Sequence, residues 1–166
     1  MEVQASGNND GAGTGRDDEG AEGRLDGDST PLRILLCLDE KATIPDLVAY
    51  VRRAAVRGEL AVRAVHVVDH AFPSGLALET EEEAKDLVDE AVFELQMAGT
   101  GGEGAVRHAR MDRVAATLVD EAASFAADRI VLGAPRRRLF GLRVREQVVR
   151  RARATSVVAP HQREGD

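Results

Sequence analysis

The chain has 166 residues, 43% of them hydrophobic, enough for one ordinary domain with its own core and too many for a small fold held by staples. Its formal charge is -7, from 29 acids and 22 bases, but the charge is segregated. Residues 1–30 carry eight acids and two bases, so the other 21 acids and 20 bases form a nearly neutral body that is not excluded from binding anions.

Residues 1–30 also hold seven of the sixteen glycines and few aliphatics. Such a segment buries too little apolar surface to offset the entropy of ordering, so a disordered acidic tail is expected there. The domain is expected over residues 31–161, with a short tail at 162–166. Residues 33–39 form an apolar run closed by Asp39, the pattern of a strand covered on both faces. Thr43 is placed to cap a helix whose apolar positions Leu47, Val48, Val51, Ala54 and Ala55 recur at helical spacing, with Gly58 as its stop. Residues 60–69 read as a second strand, again closed by an acid, Asp69.

Thr80-Glu81-Glu82-Glu83 is a capping box for a long helix with Ala84, Leu87, Val88, Ala91, Val92 and Leu95 inward. After a glycine-rich turn, residues 105–110 predict a weaker, more exposed strand. Asp112 is placed to cap a third helix with Ala115, Leu118, Val119, Ala122, Phe125 and Ala126 on its apolar face. Residues 129–133 predict a fourth strand ending at Gly133, residues 142–153 a fourth helix, and residues 155–160 a fifth strand that Pro160 ends. Alternating strands and helices imply an α/β fold: one doubly wound, parallel, five-stranded sheet flanked by about four helices. Ligands of such sheets sit beyond the carboxyl ends of the strands, where strand order reverses. Asp39, Asp69 and Gly133 all fall at such ends.

Cys37 is the single cysteine, so an internal disulfide and a Cys-rich zinc site are excluded and a reducing cytoplasm fits. The sequence has no secretory leader pattern and no apolar run near the roughly 20 residues of a spanning helix, so a cytoplasmic protein away from membranes is expected. A Gly-x-Ser-x-Gly elbow and a Walker loop are both missing from the sequence, and no catalytic residue is assigned. Five aromatics are too few for a base-stacking platform, which argues against nucleic acid. His66 alternates with valines and reads as a packed core histidine; His66 and His70 are not expected to pair on zinc, and His108 and His161 read as surface residues. No metal site is expected.

Asp39 at the end of the first strand, His66-Val67-Val68-Asp69 in the second, and Ala127-Asp128-Arg129-Ile130-Val131-Leu132-Gly133 at the fourth together resemble the universal stress protein family, over roughly residues 32–160. The resemblance implies a five-stranded α/β fold, dimerisation through the last strand (here Ser156 to Ala159), and, in one branch, ATP as ligand. In that branch the acid after the first strand and a valine of the second meet the adenosine, and a glycine loop after the fourth strand holds the phosphates. Asp39, Val67 and Gly133 match that pattern; Arg136 stands where the second loop glycine belongs. Leu142-Arg143 replaces the Gly-Ser or Gly-Thr pair before Val144, Gly141 is one place early, and the loop is shorter by about four residues.

A phosphate cradle needs glycines so that backbone N–H groups can turn toward the anion. The resemblance therefore implies a non-catalytic binding module that does not hold ATP in the usual way. Two alternatives stay open. Eight arginines from Arg136 to Arg153, against the single acid Glu146, could replace the lost cradle in a slow ATP hydrolase, or could bind other anions or nucleic acid. The arginines of the fourth helix also read as a solvated face, and the acidic tail could dock on the patch.

Overall fold

The computed structural model describes residues 30–71, 74–77, 79–133, 139–152 and 156–158, with 139–142 and 156–158 described by their backbone. The expectations for residues 1–29, Arg136 and residues 159–166 lie outside that range. The strands are β1 (Leu32–Leu38), β2 (Leu60–His70), β3 (Glu103–Arg110), β4 (Arg129–Leu132) and β5 (Ser156–Val158). They alternate with α1 (Ile44–Ala55), α2 (Glu81–Met97), α3 (Val114–Ser124) and α4 (Leu139–Arg151). All four pairings are parallel, in the order β3, β2, β1, β4, β5.

The alternation of strand side chains divides the core in two. Ile34, Leu36 and Leu38 of β1 join Val62 and Ala64 of β2 under α1 and α2. Leu35, Cys37, Val65 and Ile130 face the other way, under α3 and α4. Ile34 and Leu35 are fully buried. This is the continuous apolar run of a strand covered on both faces, and each such side chain contributes about 1.5–3 kcal/mol on burial.

The Thr80 capping box forms as its sequence dictates: the Glu83 N–H donates to Thr80 Oγ1 (3.2 Å) and the Thr80 N–H donates to Glu83 Oε2 (2.8 Å). Two other caps do not. Thr43 is the residue before α1, but its hydroxyl donates backward to the Glu40 carbonyl (2.8 Å), closing one 3-10 turn. Arg113, not Asp112, precedes α3 and makes no side-chain cap; Asp112 instead pairs with Arg110. The α4 helix starts three residues before its predicted first residue, and β3 starts two before its own. As expected of a sheet edge, β3 is largely exposed.

On the α3 side, odd-numbered residues of β2 and β3 present Arg63 and Arg107 to Glu121 of α3, which is buried. Arg107 reaches both of its oxygens (2.7 and 3.0 Å) and Arg63 one (2.8 Å), while Arg63 also meets Glu103 (2.7 Å). The guanidinium groups of Arg33 and Arg63 each lie 4.5 Å from the centre of the Phe125 ring. Burial alone pushes the Glu121 carboxyl up; hydrogen bonds from Arg107 and Arg63, with their charges, outweigh it and hold the group below its ordinary value.

Beyond α3 the chain reverses through Ala126, which is exposed and has φ 52°, a left-handed conformation that favours glycine. The Ala127 and Ala126 N–H groups donate to Ala122 and Ala123 (2.8 and 3.0 Å), the paired bonds of a Schellman stop.

Two outcomes follow from these features. Ala126→Gly is expected to raise stability by a few tenths to about 1 kcal/mol, relief of left-handed strain exceeding the added chain entropy; a fall in thermal midpoint would contradict it. Because the Glu121 value is depressed in the folded state, its contribution is complete above the ordinary value of 4.5 and is lost as pH falls through the lower folded value. Glu121→Gln should therefore unfold more readily in urea at neutral pH, by about 3 kcal/mol, and the gap should narrow in acid.

Candidate functional site

Strand order reverses between β1 and β4: the chain runs outward from β1 to β2 and β3, then crosses to β4 and β5. Adjacent strands whose connections leave in opposite directions open a crevice at their carboxyl ends. Cys37 pairs with Leu132, so the exits of the two strands, Asp39 and Gly133, lie side by side there. Asp39 is exposed.

Gly133 is explained by its neighbour across the crevice. A Cβ at this position would stand 3.0 Å from Thr43 Cβ and Oγ1 and 3.2 Å from Thr43 Cγ2, closer than side-chain carbons ordinarily approach. Thr43 is itself buried, held by its hydrogen bond to Glu40. The missing side chain thus admits the 3-10 turn that leads into α1 against the exit of β4. A threonine before an apolar helix is ordinarily read as a cap, which is why sequence reasoning missed this role.

The remaining predicted positions divide. Val67, in β2, and Val144, in α4, are half-buried and pack against the same apolar cluster on the α3 and α4 side. Gly141 is the third residue of α4, inside the helix and not in the loop before it. Arg136 lies outside the described residues. Of the helical arginines, Arg143, Arg150 and Arg151 are exposed, and Arg151 donates to Gln147 (2.9 Å). The structure puts Asp39 and Gly133 at adjacent strand exits, and Val67 and Val144 against one apolar cluster.

On the opposite face, His66 is buried. Its Nδ1 donates to the Leu38 carbonyl (3.0 Å), and its Nε2 meets Glu79 Oε1 at 2.5 Å. It ties the end of β1 to the loop leading into α2, the hydrogen-bonded core role its place in the strand implies; the Glu79 partner carries no sequence signal. Cys37 is buried within β1, and burial pushes its thiol far up, so it is packing and not a nucleophile. Among the described residues no group of three or more histidine, cysteine or carboxylate side chains is arranged to hold a metal ion, and no helix is long and apolar enough to cross a membrane.

The fold is a doubly wound parallel sheet of the α/β class, with Asp39 and Gly133 at the exits of the two strands where its order reverses. The sequence profile of the universal stress protein family matches residues 32–160, and the chain belongs to that family. Among solved structures it is similar to the universal stress protein from Archaeoglobus fulgidus in complex with dAMP (21% identity, TM-score 0.62, 78% of this chain and 98% of that one). It is also similar to a universal stress family protein from Burkholderia pseudomallei (22%, 0.57, 78% and 96%). A family member from Arabidopsis thaliana with AMP bound aligns at 14% and 0.55, over 81% and 94%. No curated protein matches the chain.

The contact between Gly133 and Thr43 gives a test of the crevice. Gly133→Ala should cost about 1–3 kcal/mol in denaturant unfolding, the range of overpacked interiors, and adding Thr43→Ala should recover part of that loss. Purely additive losses would show that the two residues do not press on each other.

Proposed function

We propose that this chain is a regulatory binding module of the universal stress protein family. It works without turnover and without the glycine cradle that holds ATP in one branch of the family. One observation carries the reading: the glycine that would open the phosphate loop is committed to a buried contact with Thr43. The departures at Arg136 and at Leu142-Arg143 support it. The Cβ side of Gly133 is already taken up by Thr43, and the residues that follow bring side chains where the family's loop brings glycines, so fewer backbone N–H groups can gather around a triphosphate. The reading includes a homodimer formed through the last strand, Ser156 to Ala159, and action in the cytoplasm.

A second reading is favoured by the dAMP and AMP complexes of similar structures. Asp39 is open at the crevice, Val67 lines the same end of the sheet, and an adenosine could be held there with arginines serving its phosphate. Slow hydrolysis of ATP would belong to this alternative.

The two are separated by titrating the full chain with ATP and magnesium, and in parallel with AMP, while following thermal unfolding. A ligand that binds only the native state raises the midpoint by an amount set by its concentration over its dissociation constant. The proposal expects no shift with millimolar ATP and no adenine nucleotide released on denaturing the purified protein. A clear shift that is lost in Asp39→Ala would replace it with the second reading.

A further inference from the structure

The even-numbered residues of β2 and β3 face α2, and three of them are histidines: His66, His70 and His108. His66 is buried with both nitrogens engaged. The other two meet at the carboxyl ends of their strands, and their surroundings fix which nitrogen carries hydrogen. His70 Nδ1 lies 3.2 Å from the carbonyl of Gly75, which can only accept, so Nδ1 donates. That carbonyl is presented by a tight return of the chain after β2, in which Gly75 has φ +69°, the Gly75 N–H donates to Ala71 (2.7 Å), and Ala77 bridges back to His70. His108 Nε2 lies 2.8 Å from Glu81 Oε2, in the first turn of α2, so it also donates.

In the neutral rings these bonds leave lone pairs on His70 Nε2 and His108 Nδ1. Those two nitrogens face each other at 3.2 Å, with ring centroids 5.4 Å apart and planes tilted by 37°. Two acceptors at that distance repel unless a cation lies between them. A shared proton is one such cation. A metal ion is another: with metal–nitrogen bonds of about 2.0–2.1 Å at the tetrahedral angle, two imidazole nitrogens stand about 3.3 Å apart.

We propose that His70 and His108 form a site for a divalent transition-metal ion of the zinc type. Glu81 and the Gly75 carbonyl hold the two rings from behind in the metal-binding tautomers. Imidazole suits such ions, and a histidine ligand usually donates its other N–H to a carboxylate or a carbonyl, as both do here. With no third side-chain ligand among the described residues, water completes the coordination. The place is open to it, His108 being 49% exposed. Arg110, the register partner of His70, has its guanidinium engaged by Asp112 (3.2 Å). The site is one strand removed from the crevice between β1 and β4 and does not depend on what that crevice holds.

The test is a calorimetric titration of the full chain, free of any affinity tag, with zinc chloride, paired with NMR of the histidine ring resonances. Zinc is expected to shift the His70 and His108 resonances together. His108→Gln should weaken binding at least tenfold, and Glu81→Gln by about tenfold through loss of the carboxylate behind the ring. His161→Gln should bind as the parent does. Thermal unfolding without zinc verifies that each variant is folded. Resonances of His70 and His108 that stay in place at millimolar zinc, or parental affinity in His108→Gln or Glu81→Gln, would overturn the site and leave a proton as its only occupant. Loss of binding in His161→Gln would overturn it equally.

Discussion

Everything else in this molecule is arranged around β1. It is the strand that pairs on both sides with the strands that begin the two halves of the sheet, β2 and β4, and its side chains belong alternately to both cores. Its five buried residues, Ile34 to Leu38, are all apolar because neither face meets water there, and the one charged residue, Arg33, sits half-buried near the start. The same placement creates the crevice, since the connections leaving β1 and β4 diverge and the space between them is left to Asp39, Thr43 and Gly133. Stability and the candidate site thus share one element: the chain cannot acquire the second without the first.

The two faces of the sheet are finished differently. On the α1 and α2 side the layers are closed by close approach: a Cβ on Gly104 of β3 would lie 2.3 Å from Val88 Cγ1, so α2 packs directly on the strand backbone. On the α3 side β2 and β3 carry Arg63 and Arg107, whose charges converge on Glu121. A buried ion group of this kind adds little net energy over an apolar replacement, but it penalises any register in which Glu121 loses its partners. It fixes α3 against β2 and β3, where small aliphatic contacts alone would permit sliding.

Much of this was legible in the sequence because it is written in local pattern. The apolar runs ending at Asp39 and Asp69, the box from Thr80 to Glu83 and the helical stripes of α1 and α2 each depend on neighbours within a few residues. The errors come where distance along the chain stops being a guide. Thr43 and Asp112 look like caps, yet the first is claimed by a glycine ninety residues later and the second by Arg110. The reading of α4 from its apolar stripe starts it three residues late, at Leu142, although Leu139 and Phe140 are as compatible with helix as those that follow. The meeting of His70 and His108 depends on the register of β2 on β3, which no spacing within either strand records. The reach of Glu79 to His66 depends on the path of a loop.

The outermost strand on one side also governs what the sheet can do with its own copies. An edge strand offers a row of backbone donors and acceptors to any other extended chain, and among the described residues β3 is such a strand over eight residues. Its side chains are Glu103, Arg107, His108 and Arg110 among small residues, with Gly104 near its start. A neighbour adding there would have to strip water from four polar groups and separate charges already paired with Glu121, Glu81 and Asp112. Among the described residues, the charges of β3 thus make that border a costly place for another strand to join.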